Sequence, residues 1–588
     1  MVCYVVVWQC QIPPPIPKMK TPKLIIFGLD AAVESLLLPW VQAGKLPHLA
    51  SLMKDGCYGR LESVMPPLTP AAWTSFMTGK NPGKHGIFNF MEPSAEGYGM
   101  VYTNGGNRKT ESLWKMLNQG GLTTGVINTP FTFPPEKVEG FMISGLDTPS
   151  SESSFIHPPK LKEEIEKQFG RLELDARYLG AMTNLKKRAL ALDGFRKVDE
   201  QWSKLSLYCL EKHPQDLMMF TFMSIDSAEH HFWHYMDPKH FYHDPEGADL
   251  FKDAILEVYQ RLDATLGEIL KRIDRSKTDV IVLSDHGQEA VSDRTLHINR
   301  ILQQAGLLNY KKSSPIKRMV AATIGPIHGL LKKVLSHSQK AALASLFPKL
   351  RDNADGIVTS YNDIDWTRTK AYCHEAWATP PSVSINLRGV KPQGIVDESD
   401  YETVIGQVLE ALYAVKDPRT GTQVIAHAYR RNELYSGPCT RLAPDLTLKW
   451  WGASPFNTKP SLAGETNRPV LTIEQPRPLR VPEWSGHHTL EGILIASGPS
   501  FKRETIIQGA RLYDMAPTLL HLLNLPVPAD MDGVILKNIL NESITTEGSR
   551  PIVKSTSPEK EVVGDKYAYS DQETALVEER LKNLGYLE

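Results

Sequence analysis

Three apolar runs in this chain end on an aspartate. Asp30 follows LIIFGL, Asp226 follows LMMFTFMSI and Asp285 follows VIVLS. In an open parallel sheet the carboxyl ends of the strands share one edge, and ligands bind there. Carboxylates delivered to one edge repel one another unless a cation sits among them. One such aspartate is a cap or a turn residue; three together argue for metal. Histidines sharpen the pattern. His230 stands one helical turn beyond Asp226, so both can face one ion. His286 adjoins Asp285 in a turn, followed by the permissive Gly287. A late Gly486-His487-His488 offers another imidazole. These donors suffice for two zinc-like ions with mixed nitrogen and oxygen ligands and open positions. His231 and His234 read as packing or supporting residues.

A hydroxyl completes the set. In MPPLTPAAWTSFMTGKNPGKHG, from Met65 to Gly86, Thr69-Pro70 precedes a short apolar run. Threonine is a good N-cap and proline tolerates the first helical position, so a helix is expected to begin at Thr69. A hydroxyl there lies among unpaired N–H groups at the positive end of a helix dipole, which favours a phosphate. The plainer reading, that Thr69 only caps the helix, stands beside it.

The elements that must position these groups follow from the apolar patterning. Lys23 to Leu29, Thr123 to Asn128, Phe141 to Leu146, Leu217 to Ser224 and Val280 to Leu283 read as strands buried on both faces. Leu250, Ala254, Val258, Leu262, Leu266, Ile269 and Ile273 recur at steps of three or four, an amphipathic helix between two such strands. Strand, helix, strand is a βαβ unit, so an α/β fold with a largely parallel sheet is expected. Ser382 to Leu387, Leu446 to Trp450 and Gly492 to Ala496 are further strands. Charged helical inserts at 151–213 and 307–361 are expected to cap the site, the second carrying a basic stretch from Lys311 to Arg351. Residues 1–20 read as an unstructured extension, with Met19 an alternative start. Residues 21–541 form the catalytic unit, and 542–588 a polar tail ending in a helix.

Composition excludes several classes. Lys+Arg 66 against Asp+Glu 67 leaves no global basic field, so no nucleic-acid polymer is expected as partner. No apolar run is long enough to span a bilayer. Six cysteines without a CxxC pair suit reduced thiols and a cytoplasmic location.

Taken jointly, LTPAAWTSFMTG…P…HG, D226-x-x-x-H230, S284-D-H-G287 and the late G-x-H resemble the alkaline phosphatase superfamily, specifically its type I phosphodiesterase/nucleotide pyrophosphatase branch. The resemblance runs from about Lys23 to Leu540. It implies an alkaline phosphatase-like sheet flanked by helices, with helical cap insertions. It also implies a hydrolase of phosphodiester or pyrophosphate bonds in small phosphorylated substrates, acting through a phosphothreonine on Thr69. By position, Asp30, Thr69, Asp285 and His286 would serve one divalent ion, and Asp226, His230 and His488 the other, His487 filling the variable place. Zinc is expected, with manganese or iron as alternatives. The family's asparagine after the HG pair, which helps hold a phosphoryl oxygen, corresponds to Asn89, one residue out of register. The Cys-x-Pro-x-Arg signature of the sulfatases is absent. A phosphomutase or phosphomonoesterase of the same superfamily, or a non-catalytic binding protein, are the alternatives.

Overall fold

The run LIIFGL is buried at every position and divides its side chains between two cores. Ile25, Phe27 and Leu29 face one, Leu24 and Ile26 the other. Such a strand belongs inside a sheet covered on both sides. The computed structural model describes residues 21–94, 97–176, 184–311, 363–375, 380–461, 467–475, 484–542, 544 and 567–583. The extension 1–20, the basic stretch beyond Lys311 and most of the insert 307–361 lie outside them.

Nine strands form the central sheet: β1 (Leu24–Leu29), β2 (Gly56–Glu62), β3 (Thr124–Thr129), β4 (Gly140–Ser144), β5 (Ile156–His157), β6 (Leu217–Phe222), β7 (Asp279–Leu283), β8 (Glu491–Ser497) and β9 (Thr505–Arg511), in the order β9-β2-β8-β7-β1-β6-β3-β4-β5. Strands β7, β1, β6, β3 and β4 run parallel, as do β2 and β9; β8 is antiparallel to both its neighbours, and β5 to β4. The sheet is thus largely parallel. Strands β2 and β9 are not evident in the sequence, because β2 exposes Arg60 and Glu62 and β9 exposes alternate residues at the sheet edge.

Helices cover both faces. Relevant here are α1 (Thr69–Thr78), α2 (Leu185–Lys212), α3 (Ser224–Met236), α4 (Ala254–Lys271) and α5 (Asp571–Asn583). Trp73, Phe76 and Met77 of α1 join the core on one face, while Phe195, Ile225, Phe232, Tyr259 and Leu262, from α2, α3 and α4, join that on the other. Burying a side chain such as Phe76 contributes roughly 2 kcal/mol. The amphipathic stretch is two helices, not one. Pro245–Phe251 ends before Asp253, the N-cap residue of α4, and this break shifts the phase and leaves Leu250 exposed.

Residues between Arg294 and Ile473 build a lobe with its own apolar core, a four-stranded and a three-stranded sheet, and the helix Tyr401–Tyr413. Ser382–Ile385 and Leu446–Leu448, expected as strands, belong to this lobe. Helix α5 returns to the main body, where Tyr569 donates to the Asp147 carbonyl at 2.5 Å and Arg580 to the Thr148 carbonyl at 2.6 Å. The four described cysteines, Cys57, Cys209, Cys373 and Cys439, are free and buried. Among the described residues no helix is long and apolar enough to cross a membrane.

Helix α1 is buried at all of its ten residues, and most of its polar side chains find partners inside the protein. Thr78 donates to the Thr74 carbonyl at 2.7 Å, and Ser75 pairs with His85 Nε2 at 2.8 Å. Gly79 ends the helix in the left-handed region, φ 67°. The close approach of α1 to the sheet depends on Gly28 of β1. A Cβ there would lie 2.8 Å from the Trp73 ring and 3.1 Å from Thr221 Oγ1. Gly28→Ala is therefore expected to cost about 1–3 kcal/mol through overpacking. The denaturation midpoint reads this directly, and an unchanged midpoint would show that α1 is free to shift.

Candidate active site

Strand register brings the aspartates together. Gly28 is level with Leu283, so two residues further Asp30 stands beside Asp285; Leu29 is level with Phe222, which feeds directly into α3 and Asp226. The histidine comes from the other direction. Because β8 is antiparallel, its amino end lies at this edge, and a residue just before the strand can join a site built from residues just after the others. Gly486–Thr489 pairs with Gly287–Ala290, placing His488 opposite Gln288 and His487 opposite Glu289. Strand alternation then separates the two imidazoles. His488 Nε2 lies 3.0 Å from Asp226 Oδ1, whereas His487 Nε2 lies 3.0 Å from Glu289 Oε1, away from the cluster.

Two groups of buried ligand atoms result: Asp30, Asp285 and His286, and Asp226, His286 and His488, each within 4.8 Å of one another. His286 borders both groups, its ring stacked on His488 with centroids 3.8 Å apart. His230 Nε2 adjoins the second, 3.2 Å from Asp226 Oδ1 and 2.8 Å from His488 Nε2. Thr69 Oγ1 sits 3.3 Å from His286 Nε2. Leu68, not Thr69, is the N-cap residue of α1, and the hydrogen-bond contact described for the Thr69 hydroxyl is the one to His286.

The protons of the imidazoles are accounted for elsewhere. His230 Nδ1 donates to the Gly486 carbonyl at 2.8 Å and His488 Nδ1 to the Pro67 carbonyl at 3.0 Å; His286 Nδ1 donates to the Gly287 carbonyl at 3.2 Å. His230 Nε2 and His488 Nε2 are thereby turned toward each other and the Asp226 carboxylate, and His286 Nε2 toward the carboxyls of Asp30 and Asp285. Asp30 Oδ1 and Asp285 Oδ2 are buried without a hydrogen-bond partner. The remaining oxygens are held, Asp30 Oδ2 by the Trp73 indole at 2.8 Å and Asp285 Oδ1 by the Ala31 N–H at 3.3 Å.

The electrostatics follow. Burial, reinforced by Asp285 and Asp226, pushes the Asp30 carboxyl well above the usual carboxylate range, and burial does the same to Asp285. For Asp226 burial also acts upward, but His230 and His488 outweigh it and hold the group well below that range. Burial pushes the His286 imidazole well down. A site of buried acceptors with their protons directed outward has the donor chemistry for divalent ions.

Not every expected residue joins. Asn89 is buried, but its Oδ1 accepts from the Phe90 N–H at 2.7 Å, and no described hydrogen bond ties it to the cluster. His234, read from the sequence as a packing or supporting residue, lies outside both groups, its carbonyl accepting from His243 Nδ1 at 2.8 Å. Glu229 was not anticipated. It is fully buried between Asp226 and His230, and burial pushes its carboxyl well up. Its place three residues after Asp226 was the available signal, since that spacing shares a helix face. Trp73, which orients Asp30, stood at the same kind of spacing from Thr69.

No curated protein matches the chain. Among solved structures it is similar to murine ectonucleotide pyrophosphatase/phosphodiesterase 5 in an inactive form bound to AMP, at 12% identity over 88% of this chain and 100% of that one, TM-score 0.47. The human counterpart gives 13% identity over 89% and 100%, TM-score 0.45. The family model described as type I phosphodiesterase / nucleotide pyrophosphatase matches residues 24–446. That span begins with β1, contains Asp30, Thr69, Asp226, His230, Asp285 and His286, and covers well over half of the chain. The chain belongs to the type I phosphodiesterase/nucleotide pyrophosphatase family of the alkaline phosphatase superfamily, and is a phosphoric ester hydrolase.

Proposed function

We propose that this hydrolase cleaves phosphodiester or pyrophosphate bonds of small, nucleotide-like substrates with two divalent ions and a threonine nucleophile. One observation carries the reading: Asp30, Asp285 and His286, and Asp226, His286 and His488, form two groups whose buried ligand atoms lie within 4.8 Å of one another, while the Nδ1 atoms of His230 and His488 donate to backbone carbonyls and turn each Nε2 toward the site. Carboxyl and imidazole groups buried this closely are a donor set that divalent ions take. Asp30, Asp285, His286 and Thr69 would hold one ion, and Asp226, His230 and His488 the other. Zinc suits the mixture of imidazole and carboxylate, with manganese or iron as the alternatives. When bound, such ions lower the pKa of a coordinated hydroxyl and offset charge on a transferring phosphoryl group.

The chain's own groups do the rest. Thr69 stands at the amino end of a rigid, buried helix, where the dipole and unpaired N–H groups favour the phosphoryl oxygens. Its Oγ1 forms a bond to phosphorus as the bond to the leaving oxygen breaks, and its proton passes to solvent. Water then displaces Thr69 from the phosphothreonine and regenerates the hydroxyl. Trp73 keeps one Asp30 oxygen turned away, leaving the other for the site.

Elemental analysis of gently purified protein is expected to find two divalent ions per chain; one or none would overturn the two-ion reading. Thr69→Ala should lower turnover of a chromogenic phosphodiester by about a thousandfold or more, yet keep both ions and nearly the wild-type melting temperature, because Leu68, not Thr69, is the N-cap residue of α1. Thr69→Ser should retain part of the activity. Near-normal turnover of the alanine variant would remove the nucleophile assignment.

Ion binding should also depend on pH in a defined sense. With folded-state pKa values raised above the unfolded value, Asp30 and Asp285 stabilise the metal-free fold at low pH and lose that contribution as pH rises through the folded values. His230 and His286 are depressed, so their contribution is lost as pH falls through about 6.5. Divalent ions relieve the cost of ionising the buried carboxyls, but at low pH they must first displace protons from them. The rise in melting temperature on adding zinc to chelator-treated protein should therefore be larger at pH 8 than at pH 5. Equal rises would count against ions held by these groups.

A further inference from the structure

One buried hydroxyl joins the two elements that carry the opposite halves of the site. Tyr259 of α4 is fully buried, its ring set edge-on against Trp40 at 5.0 Å. Its oxygen accepts from the Val33 N–H at 3.1 Å and donates to Glu229 Oε1 at 2.8 Å. Val33 closes the turn that begins at Asp30, and Glu229 lies on α3 between Asp226 and His230. The turn is tight, with Ala31 at φ 65°. On its other side it is pinned by Ser284, which donates to the Ala32 carbonyl at 2.7 Å and accepts from the Ile493 N–H at 2.8 Å.

The Asp30 turn is thus fixed to the Asp285 loop by Ser284 and to α3 by Tyr259. The first contact sets the geometry within one ligand group. The second sets the distance between that group and the other. We propose that Tyr259 is a positioning residue that holds the two ion sites at working separation by bridging Val33 and Glu229. The role rests on the two-ion reading above. Glu229 serves as the acceptor through which the tyrosine fixes α3; its second oxygen, Oε2, has no hydrogen-bond partner, so no competing bond pulls the carboxyl elsewhere. Without the hydroxyl, the Val33 N–H and the Glu229 carboxyl both lose a partner inside the protein, and turn and helix relax independently.

The test compares three full-length proteins: wild type, Tyr259→Phe, which keeps the ring and removes only the oxygen, and Trp40→Phe, which alters the packing around that ring and leaves both hydrogen bonds. Each is stripped with a chelator and titrated with zinc by calorimetry. Wild type should bind two ions. Tyr259→Phe should bind the second ion about tenfold or more weakly, the range seen when residues supporting ligands are lost. It should also show a reduced kcat with little change in KM. Trp40→Phe should retain both affinities. Wild-type affinities in Tyr259→Phe, or an equal weakening in Trp40→Phe, would overturn the positioning role while leaving the two-ion reading intact. A wild-type protein that takes up no zinc, manganese or iron would overturn that reading, and the positioning role with it.

Discussion

Everything at the site depends on one constraint: titratable groups are buried closer together than free charges tolerate. Three imidazoles and the carboxyls of Asp30, Asp226 and Asp285 converge with almost no exposure to solvent. Placing charge in such surroundings costs several kcal/mol per group unless it is paired. The Nδ1 of each imidazole donates to a backbone carbonyl, of Gly486, Gly287 or Pro67, which turns each Nε2 toward the carboxyls. The result is a set of buried donor atoms, gathered at one edge of the sheet, whose chemistry suits a divalent ion.

Holding such a pocket open requires a frame that does not collapse into it. The parallel strands β7, β1 and β6 supply that frame, because in-register neighbours deliver Asp30, Asp285 and the start of α3 at the same height. The antiparallel β8 then solves a problem of direction. A parallel strand in its place would bring its leading residues to the opposite edge, and no histidine preceding it could reach Asp226. The hairpin-like pairing of Gly486–Thr489 with Gly287–Ala290 adds a second selection, since alternation sends His488 inward and His487 to Glu289.

Much of this was legible in the sequence, and the gaps have physical causes. Asp30, Asp226 and Asp285 stand out because strands apolar on both faces end abruptly on a charge. His230 follows from helical spacing. The choice of His488 over His487 comes from the G-x-H motif and not from the residues themselves, because neighbouring residues differ only by which face of a strand they occupy, and that face is set by a partner some two hundred residues away. Tyr259 is hidden for a related reason: a lone tyrosine on an amphipathic helix carries no local signal, and its meaning, like that of the Glu229 it binds, lies in a contact across the fold. The separate core of the 294–473 lobe was likewise unreadable, since its short strands resemble those of the main sheet. For Asn89 the motif suggests a place near the phosphoryl site, and the contact described for its side chain is local, Oδ1 accepting from the Phe90 N–H.

The two halves of the site also belong to different cores. Thr69 rides on α1, packed into the core on one face of the sheet, whereas Asp226 and His230 ride on α3, packed into the core on the other. His286 lies between them, against Thr69 on one side and His488 on the other. Neither face alone assembles the ligand set, so the site forms only when both cores are consolidated on the sheet. Core packing is rigid and transmits small displacements poorly absorbed by side-chain rotation. A shift of either layer relative to the sheet must therefore appear as a change in spacing between Thr69 and the Asp/His cluster. This explains why the structure invests buried hydrogen bonds, from Trp73 to Asp30 and from Tyr259 to Val33 and Glu229, at the points where helices meet the strand ends. Apolar contacts fix how deeply a helix sits, but they leave it able to slide. Directional bonds at its active end remove that freedom where a displacement of a fraction of an ångström would matter most.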